Sequence, residues 1–246
     1  MHTRSGIHLS VVIPAYNEER RLPRTLDHVL WYLAAQSYPA EVIVVNDGSA
    51  DGTEQVARKR AGGTVPLRLV EHPDSRNHGK GATVRRGMLE ARGQFRLFMD
   101  ADNSTAIDHV EHFWPWFDGG YDLVIGSRDI DGAQVTVPQP WYKALAGDAG
   151  NLFIRVMAVP GIVDTQAGFK MFTAACAEAL FPQLTLKRWG FDIEVLAIAL
   201  NHHFRIKEVP IRWTNAPESK VGLKAYFEVL GEVWRIRRNL RSGVYD

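Results

Sequence analysis

Only one cysteine, Cys176, stands among the 246 residues. A lone thiol cannot close an intramolecular disulfide, and without a CxxC pair or a Cys/His cluster the sequence offers no zinc site; a reducing compartment is the expectation. An excess of one charge sign is missing too. With 29 basic and 28 acidic residues the formal charge is +1, so no global field draws the chain to nucleic acid and no such partner is expected. Long hydrophobic runs are absent. The opening MHTRSGIHLS has no apolar stretch of signal-peptide length, and runs such as VLAIAL fall far below the roughly 18 residues that cross a bilayer. The reading is a chain neither exported nor membrane-spanning, with a cytoplasmic location.

What is present is material for a core. Hydrophobic residues make up 46% and aromatic residues 10% of the chain, enough for one large α/β domain over residues 1–246. Charge is unevenly spread, since residues 220–246 carry +3 and the remainder −2. Residues 222–246 are expected to form an amphipathic basic helix at the C-terminus.

Short β-rich runs alternate with helical segments through the first half. LSVVIPAY, EVIVVN, LRLV, FRLFMD and DLVIGS read as strands; helices are expected near residues 21–33, 53–60, 82–91 and 107–117. Strands apolar throughout and separated by helices indicate a mostly parallel sheet covered on both faces, with its ligand crevice at the carboxyl ends of the strands. The second half reads as the loop DIDGAQVTVPQP, an amphipathic segment WYKALAGDAGNLFIRVMAV, a loop DTQAGFKMF, a helix GFDIEVLAIALNH and a strand RIKEVPIRW. Both halves are expected to share one sheet.

Polar motifs follow the strands directly, at residues 14–18, 46–53, 100–104 and 126–128. In NDGSADGT the Gly and Asp residues favour a tight turn, and Asp51 or Thr53 suits a helix cap. Asp100 and Asp102, at i and i+2 after a strand, point the same way if the backbone is extended, and two adjacent carboxylates repel unless a cation lies between them. Hard oxygen ligands suit Mg²⁺ or Mn²⁺, ions that commonly bridge carboxylates to substrate phosphates. His202 and His203 read as helix-end residues and Cys176 as core packing.

Together VVIPAYNEE, VVNDGSADGT, GKGATVRRGML, LFMDADNST, VIGSR, DTQAGFKMF, RWGFDIEVL and EVPIRW followed by SK resemble the GT-A glycosyltransferases of family 2, in the dolichyl-phosphate β-glucosyltransferase and polyprenyl-phosphate glycosyltransferase branch. The match runs from about residue 9 to 223. The resemblance implies a Rossmann-like sheet with helices on both faces and transfer of a hexose from a nucleotide sugar, UDP-glucose first, to polyprenyl phosphate. It implies that Pro14, Ala15, Tyr16 and Glu18 border the nucleotide, that Asp47 meets base or ribose, and that Lys80 and Ala101 lie in the nucleotide-sugar site. Asp100 would reach ribose or metal and Asp102 the metal, while Arg128, Arg188 and Lys220 would face anionic groups of donor or acceptor. Two positions depart from the pattern: Asn46 where many relatives have aspartate, and Ala167 where the glucosyl branch often has cysteine.

An ionised lipid phosphate needs cations more than a base, since its second pKa is about 6 by analogy with phosphoserine. A hydroxyl acceptor needs a general base, for which Asp192 is the candidate. A polyprenyl acceptor requires contact with the cytoplasmic face of a membrane, as a peripheral enzyme or with a membrane-protein partner. Two segments offer it, one around Trp141, Leu145, Leu152, Phe153, Val156 and Met157, the other with Tyr226, Phe227, Leu230, Val233, Trp234 and four arginines. The alternatives are GDP-mannose as donor, a soluble or polysaccharide hydroxyl as acceptor, and a non-catalytic nucleotide-sugar-binding subunit.

Overall fold

Unbroken apolar runs become the inner strands. In β1 (Leu9–Ala15) every residue is buried, and each buried Val or Ile there contributes roughly 1.5–3 kcal/mol of hydrophobic stabilisation. The computed structural model describes residues 6–136, 150, 152–214 and 223–246, with side chains from residue 228 onward in the last stretch. Lys220, Trp141 and Leu145, and the side chains of Tyr226 and Phe227, lie outside the described residues.

After β1 come α1 (Leu22–Ala34), β2 (Ala40–Asn46), α2 (Thr53–Arg58), β3 (Leu67–Glu71), α3 (Lys80–Glu90), β4 (Phe95–Met99), α4 (Trp114–Asp118), β5 (Leu123–Ser127) and β6 (Gln134–Val135). The second half adds β7 (Phe169–Thr173), α5 (Ala174–Leu180), α6 (Phe191–Asn201), β8 (Ile206–Pro210), β9 (Arg212–Trp213) and α7 (Leu223–Arg241). Seven strands form one sheet in the order β3-β2-β1-β4-β7-β5-β8, and β6 pairs with β9 apart from it. The β1–β2, β1–β4, β2–β3 and β5–β8 pairs are parallel. One core lies on the side of α3, α5, α6 and α7, around Val84, Phe98, Phe172, Phe191 and Val233. The other lies on the side of α1, around Leu26, Val42, Leu97 and Phe113.

Three expectations change. DTQAGFKMF is not all loop: Phe169–Thr173 is β7, antiparallel to both β4 and β5 in the middle of the sheet. The single helix expected over 107–117 is a 3₁₀ segment, Ile107–His112, followed by α4, with Pro115 in its first turn; proline lacks the N–H that would carry a continuous helix through. The apolar side of α7 is not left for a membrane. Val229, Val233 and Ile236 are buried in the core, and the outward stripe is Trp234, Arg235, Arg238 and Arg241. Around residues 152–157, Ile154 turns inward while Leu152, Phe153 and Val156 are exposed.

Polar bonds fasten α7 to α6. Glu232 accepts from the Gly190 N–H at 2.8 Å, and Tyr245, beyond α7, donates to the buried Glu194 carboxylate at 2.6 Å. His202 takes a structural place, its Nε2 2.7 Å from the Tyr245 carbonyl, and Cys176 is buried.

Candidate active site

The loops after β1 and β2 are built as one unit. Asn17 donates its N–H to Ser49 Oγ at 3.0 Å, Ala50 donates to Asn17 Oδ1 at 2.9 Å, and Glu18 donates to Thr53 Oγ1 at 2.7 Å. Pro14 and Ala15 are buried at the end of β1, and Tyr16 is exposed beside them. Asn46 bridges Glu71 and the Ser49 N–H. Asp47, buried, accepts from Asn77 Nδ2 at 2.9 Å, His78 N at 2.7 Å and Gly79 N at 3.0 Å. Both its oxygens thus hold the loop that delivers Lys80, a task that the resemblance, pointing Asp47 at base or ribose, does not include. Gly79 is at φ +92° and a Cβ there would lie 2.6 Å from the Lys187 carbonyl, so only glycine fits.

Asp100, whose N–H donates to the Gly168 carbonyl at 3.1 Å, comes directly after β4, and Asp102 lies in the turn that follows; their ion pairs are with different cations. Asp100 Oδ1 meets Lys80 Nζ at 2.6 Å, and its carboxylate lies over Gly168, where a Cβ would come within 2.1 Å of Oδ2. Asp102 accepts the Ser104 N–H at 2.9 Å and stands 3.7 Å from Arg21, which also pairs with Glu18. Ala101 is buried between them, its carbonyl accepting from Thr25 Oγ1 at 2.7 Å. Burial disfavours the Lys80 charge, but Asp100, Asp192 and Asp102 outweigh it and hold the ammonium pKa above its ordinary value.

Next to this group lies a residue the motif reading passed over. Lys170, on β7, is fully buried; its ammonium donates to Asp192 Oδ1 and to the Ala167 carbonyl, each at 2.6 Å, and stands 5.4 Å from the centre of the Phe98 ring. The signal was a lysine inside an apolar run, FKMF, where a buried ammonium needs a carboxylate. Asp192, in the first turn of α6, is buried as well, and burial pushes its carboxyl pKa up while Lys170 and Lys80 pull it down.

Arg128 makes a two-pronged pair with buried Asp164, Nε to Oδ2 at 2.7 Å and Nη2 to Oδ1 at 2.9 Å, and lies over Trp213. Asp164 raises the Arg128 pKa against burial, and the guanidinium holds the Asp164 carboxyl, despite burial, below its ordinary value. Arg188 is 65% exposed and pairs with Glu228 at 3.9 Å; it borders Gly79 at the rim. The structure therefore brings Lys80, Asp100 and Asp192 together, puts Arg188 at the edge and commits Arg128 to Asp164.

Among the described residues no three His, Cys, Asp or Glu side chains converge, so a metal here would take Asp100 and Asp102 from the protein and complete its shell with phosphate and water, the usual habit of Mg²⁺. Asn103 Oδ1, Ser127 Oγ and Thr165 Oγ1 are buried without a hydrogen-bond partner among the described residues. They are sequence neighbours of Asp102, Arg128 and Asp164, and an orphaned buried polar group next to such residues fits a site that a polar ligand completes.

Residues 10–172 match the sequence model of glycosyl transferase family 2. The chain belongs to that family. This glycosyltransferase is 34% identical over 252 residues to a dolichyl-phosphate beta-glucosyltransferase of Trichomonas vaginalis, covering 98% of this chain and 74% of the relative. With the dolichyl-phosphate beta-glucosyltransferase of Drosophila melanogaster it shares 38% identity, covering 88% and 70%. Among solved structures, the glucosyl-3-phosphoglycerate synthase of Mycobacterium tuberculosis, crystallised with Mn²⁺, UDP-glucose and phosphoglyceric acid, superposes with a TM-score of 0.65 at 21% identity, covering 96% of this chain and 80% of the synthase. The family 2 glycosyltransferase has the GT-A fold, a mostly parallel sheet with helices on both faces.

Proposed function

We propose that this family 2 glycosyltransferase moves glucose from UDP-glucose to polyprenyl phosphate of the dolichyl type, with inversion, at the surface of a membrane. The names of its relatives support donor sugar and acceptor alike. The observation that carries the acceptor class is the Lys170–Asp192 pair. Asp192, the carboxylate that would serve as general base, is held by a buried ammonium at 2.6 Å, an arrangement suited to an acceptor that arrives ionised. A phosphate oxygen needs no proton removed before it attacks the anomeric carbon opposite the leaving diphosphate.

In this reading Asp100 and Asp102 hold Mg²⁺ or Mn²⁺, which neutralises the leaving diphosphate when bound. Lys80 stands beside Asp100 to meet the same diphosphate, Arg188 and Lys220 supply cationic charge for the acceptor, and Arg128 keeps the 164–168 segment in place through Asp164. Glu18 fixes Arg21 next to Asp102. The exposed Leu152, Phe153 and Val156, with the stripe Trp234, Arg235, Arg238 and Arg241, suit a peripheral enzyme on the anionic cytoplasmic face of a membrane.

The test is transfer of labelled sugar from UDP-glucose or GDP-mannose to a short polyprenyl phosphate with Mg²⁺ or Mn²⁺, with Asp102→Ala as control. Glucose label in the lipid phase that the variant loses supports the reading. Label from GDP-mannose alone changes the donor, and metal-dependent UDP-glucose binding with no lipid product overturns the acceptor.

A further inference from the structure

Lys170 lies deep in the sheet, where a lysine is costly. Removing an ammonium from water costs several kcal/mol that a single carboxylate only partly offsets, and replacing such a pair by apolar residues is often neutral or stabilising. Stability alone therefore gives no reason for a Lys170–Asp192 pair. Its surroundings do. The antiparallel insertion of β7 sets Lys170 opposite Phe98 of β4 and Ile125 of β5, and two residues earlier Gly168 lies under the Asp100 carboxylate, in contact that leaves no room for a Cβ.

On the other side, α6 and α3 meet at their first turns. A Cβ on Gly81 would lie 2.7 Å from Phe191 Cβ, and Ala82 donates its N–H to the Lys187 carbonyl at 3.1 Å. Lys80 precedes Gly81 and Asp192 follows Phe191, so the ring of contacts closes: Asp100 on Gly168, Lys170 on Asp192, Phe191 on Gly81, and Lys80 on Asp100 at 2.6 Å. Charges alternate in sign around it.

We infer that Lys170 is a positioning residue of the donor site: with Asp192 it forms a fixed pair whose negative end, beside the N-terminus of α3, aims the Lys80 ammonium at the diphosphate of the nucleotide sugar. The inference rests on the donor half of the proposed function and does not involve the acceptor. Lys170 fixes the Asp192 carboxylate through one hydrogen bond and is itself fixed by the Ala167 carbonyl. Asp192 then adds its charge to that of Asp100, the carboxylate that Lys80 touches at 2.6 Å, and the ammonium is placed to move to phosphate oxygens. Asp100 first and Asp192 after it favour the charged form of Lys80.

The test measures UDP affinity in the presence of Mn²⁺ by calorimetry on the full chain, with melting temperatures alongside. Lys80→Met, which removes a charged hydrogen-bond donor to the diphosphate, is expected to weaken UDP binding about tenfold. The apolar pair Lys170→Met with Asp192→Leu is expected to melt at or above the wild-type temperature and still to weaken UDP binding to the same extent as Lys80→Met. Adding Lys80→Met to that pair is expected to cause no further loss. A structural pair behaves differently: once the apolar replacement restores stability, UDP affinity returns to wild type, and that result overturns the inference. So does a triple variant whose losses multiply, since Lys80 would then act independently of the pair. Should the apolar pair fail to fold, Asp192→Asn keeps an acceptor for Lys170 while removing the charge, and the same non-additivity with Lys80→Met decides. A wild type that binds UDP with Mn²⁺ but glucosylates no polyprenyl phosphate overturns the acceptor reading and leaves this inference standing.

Discussion

Lys170 and Arg238 are both cations on regular elements, yet one is sealed between Asp192, Ala167 and Phe98, and the other faces solvent on α7 with Trp234, Arg235 and Arg241. At the crevice edge, where the parallel strands end, Lys80 and Lys170 each have a carboxylate partner at 2.6 Å, and Lys170 and Asp192 are sealed from water, so that interaction is strong and losing one partner strands the other. On α7 the arginine stripe acts as a sum, screened by salt over about 10 Å at 0.1 M. The edge sets one geometry; the helix sets an attraction to a surface. Single substitutions should therefore break the first, and only combined ones the second.

The largest effect is expected at the edge. Asp102→Ala should lower sugar transfer on the order of 10²–10³-fold, as loss of one charge-stabilising group usually does, measured as labelled glucose entering the lipid phase. Asp164→Asn comes next. It removes the partner of Arg128, which keeps 26% of its side-chain surface in water, so the cost at neutral pH should be about 3 kcal/mol, the low end for a broken buried pair. The Asp164 pKa is depressed in the folded state, from an ordinary 3.8. Its stabilisation is thus present above that value and is lost as pH falls through the folded pKa. Denaturant unfolding at successive pH values should find wild type and variant converging in acid; a constant gap would mean that the pair does not supply the difference.

On α7, changing Arg235, Arg238 and Arg241 together to Gln should weaken binding to anionic vesicles roughly a hundredfold, at about 1 kcal/mol for each basic residue near the surface. Sedimentation with phosphatidylglycerol-containing vesicles at several salt concentrations measures it, with neutral vesicles as reference. The melting temperature should hold, because all three side chains are exposed. Equal binding to neutral and anionic vesicles would remove the electrostatic half of the comparison.

The same contrast decides what the sequence could reveal. β1, β2, β4 and β5 were legible as largely apolar runs, despite Ser10, Glu41 and Arg96 near their starts, and the location of Asp100 and Asp102 followed from where such a run stops. Their partners did not follow. Lys170 and Asp192 are 22 positions apart and Arg128 and Asp164 36, and both pairings depend on β7 entering the sheet antiparallel, which DTQAG and the charge within FKMF disguise as loop. On α7 helical spacing allowed either face to be the outer one. Packing of Val233 and Ile236 into the core leaves the arginines and Trp234 outside, a decision made by tertiary contacts and absent from the local pattern.

Two glycines bring the comparison to its smallest scale. A methyl group on Gly168 would stand 2.1 Å from Asp100 Oδ2, whereas one on Gly231, within α7, meets nothing within 4 Å. Gly231→Ala should therefore raise stability by about 1 kcal/mol, the difference in helix propensity between the two residues. Gly168→Ala has to displace the Asp100 carboxylate, breaking its contact with Lys80, and should cost about 1–3 kcal/mol in strain as well as Mn²⁺-dependent affinity for UDP. Calorimetry and melting curves on the pair separate the cases. If Gly168→Ala binds UDP as the wild type does, the place of Asp100 is adjustable, and the edge would be as tolerant of single changes as the helix.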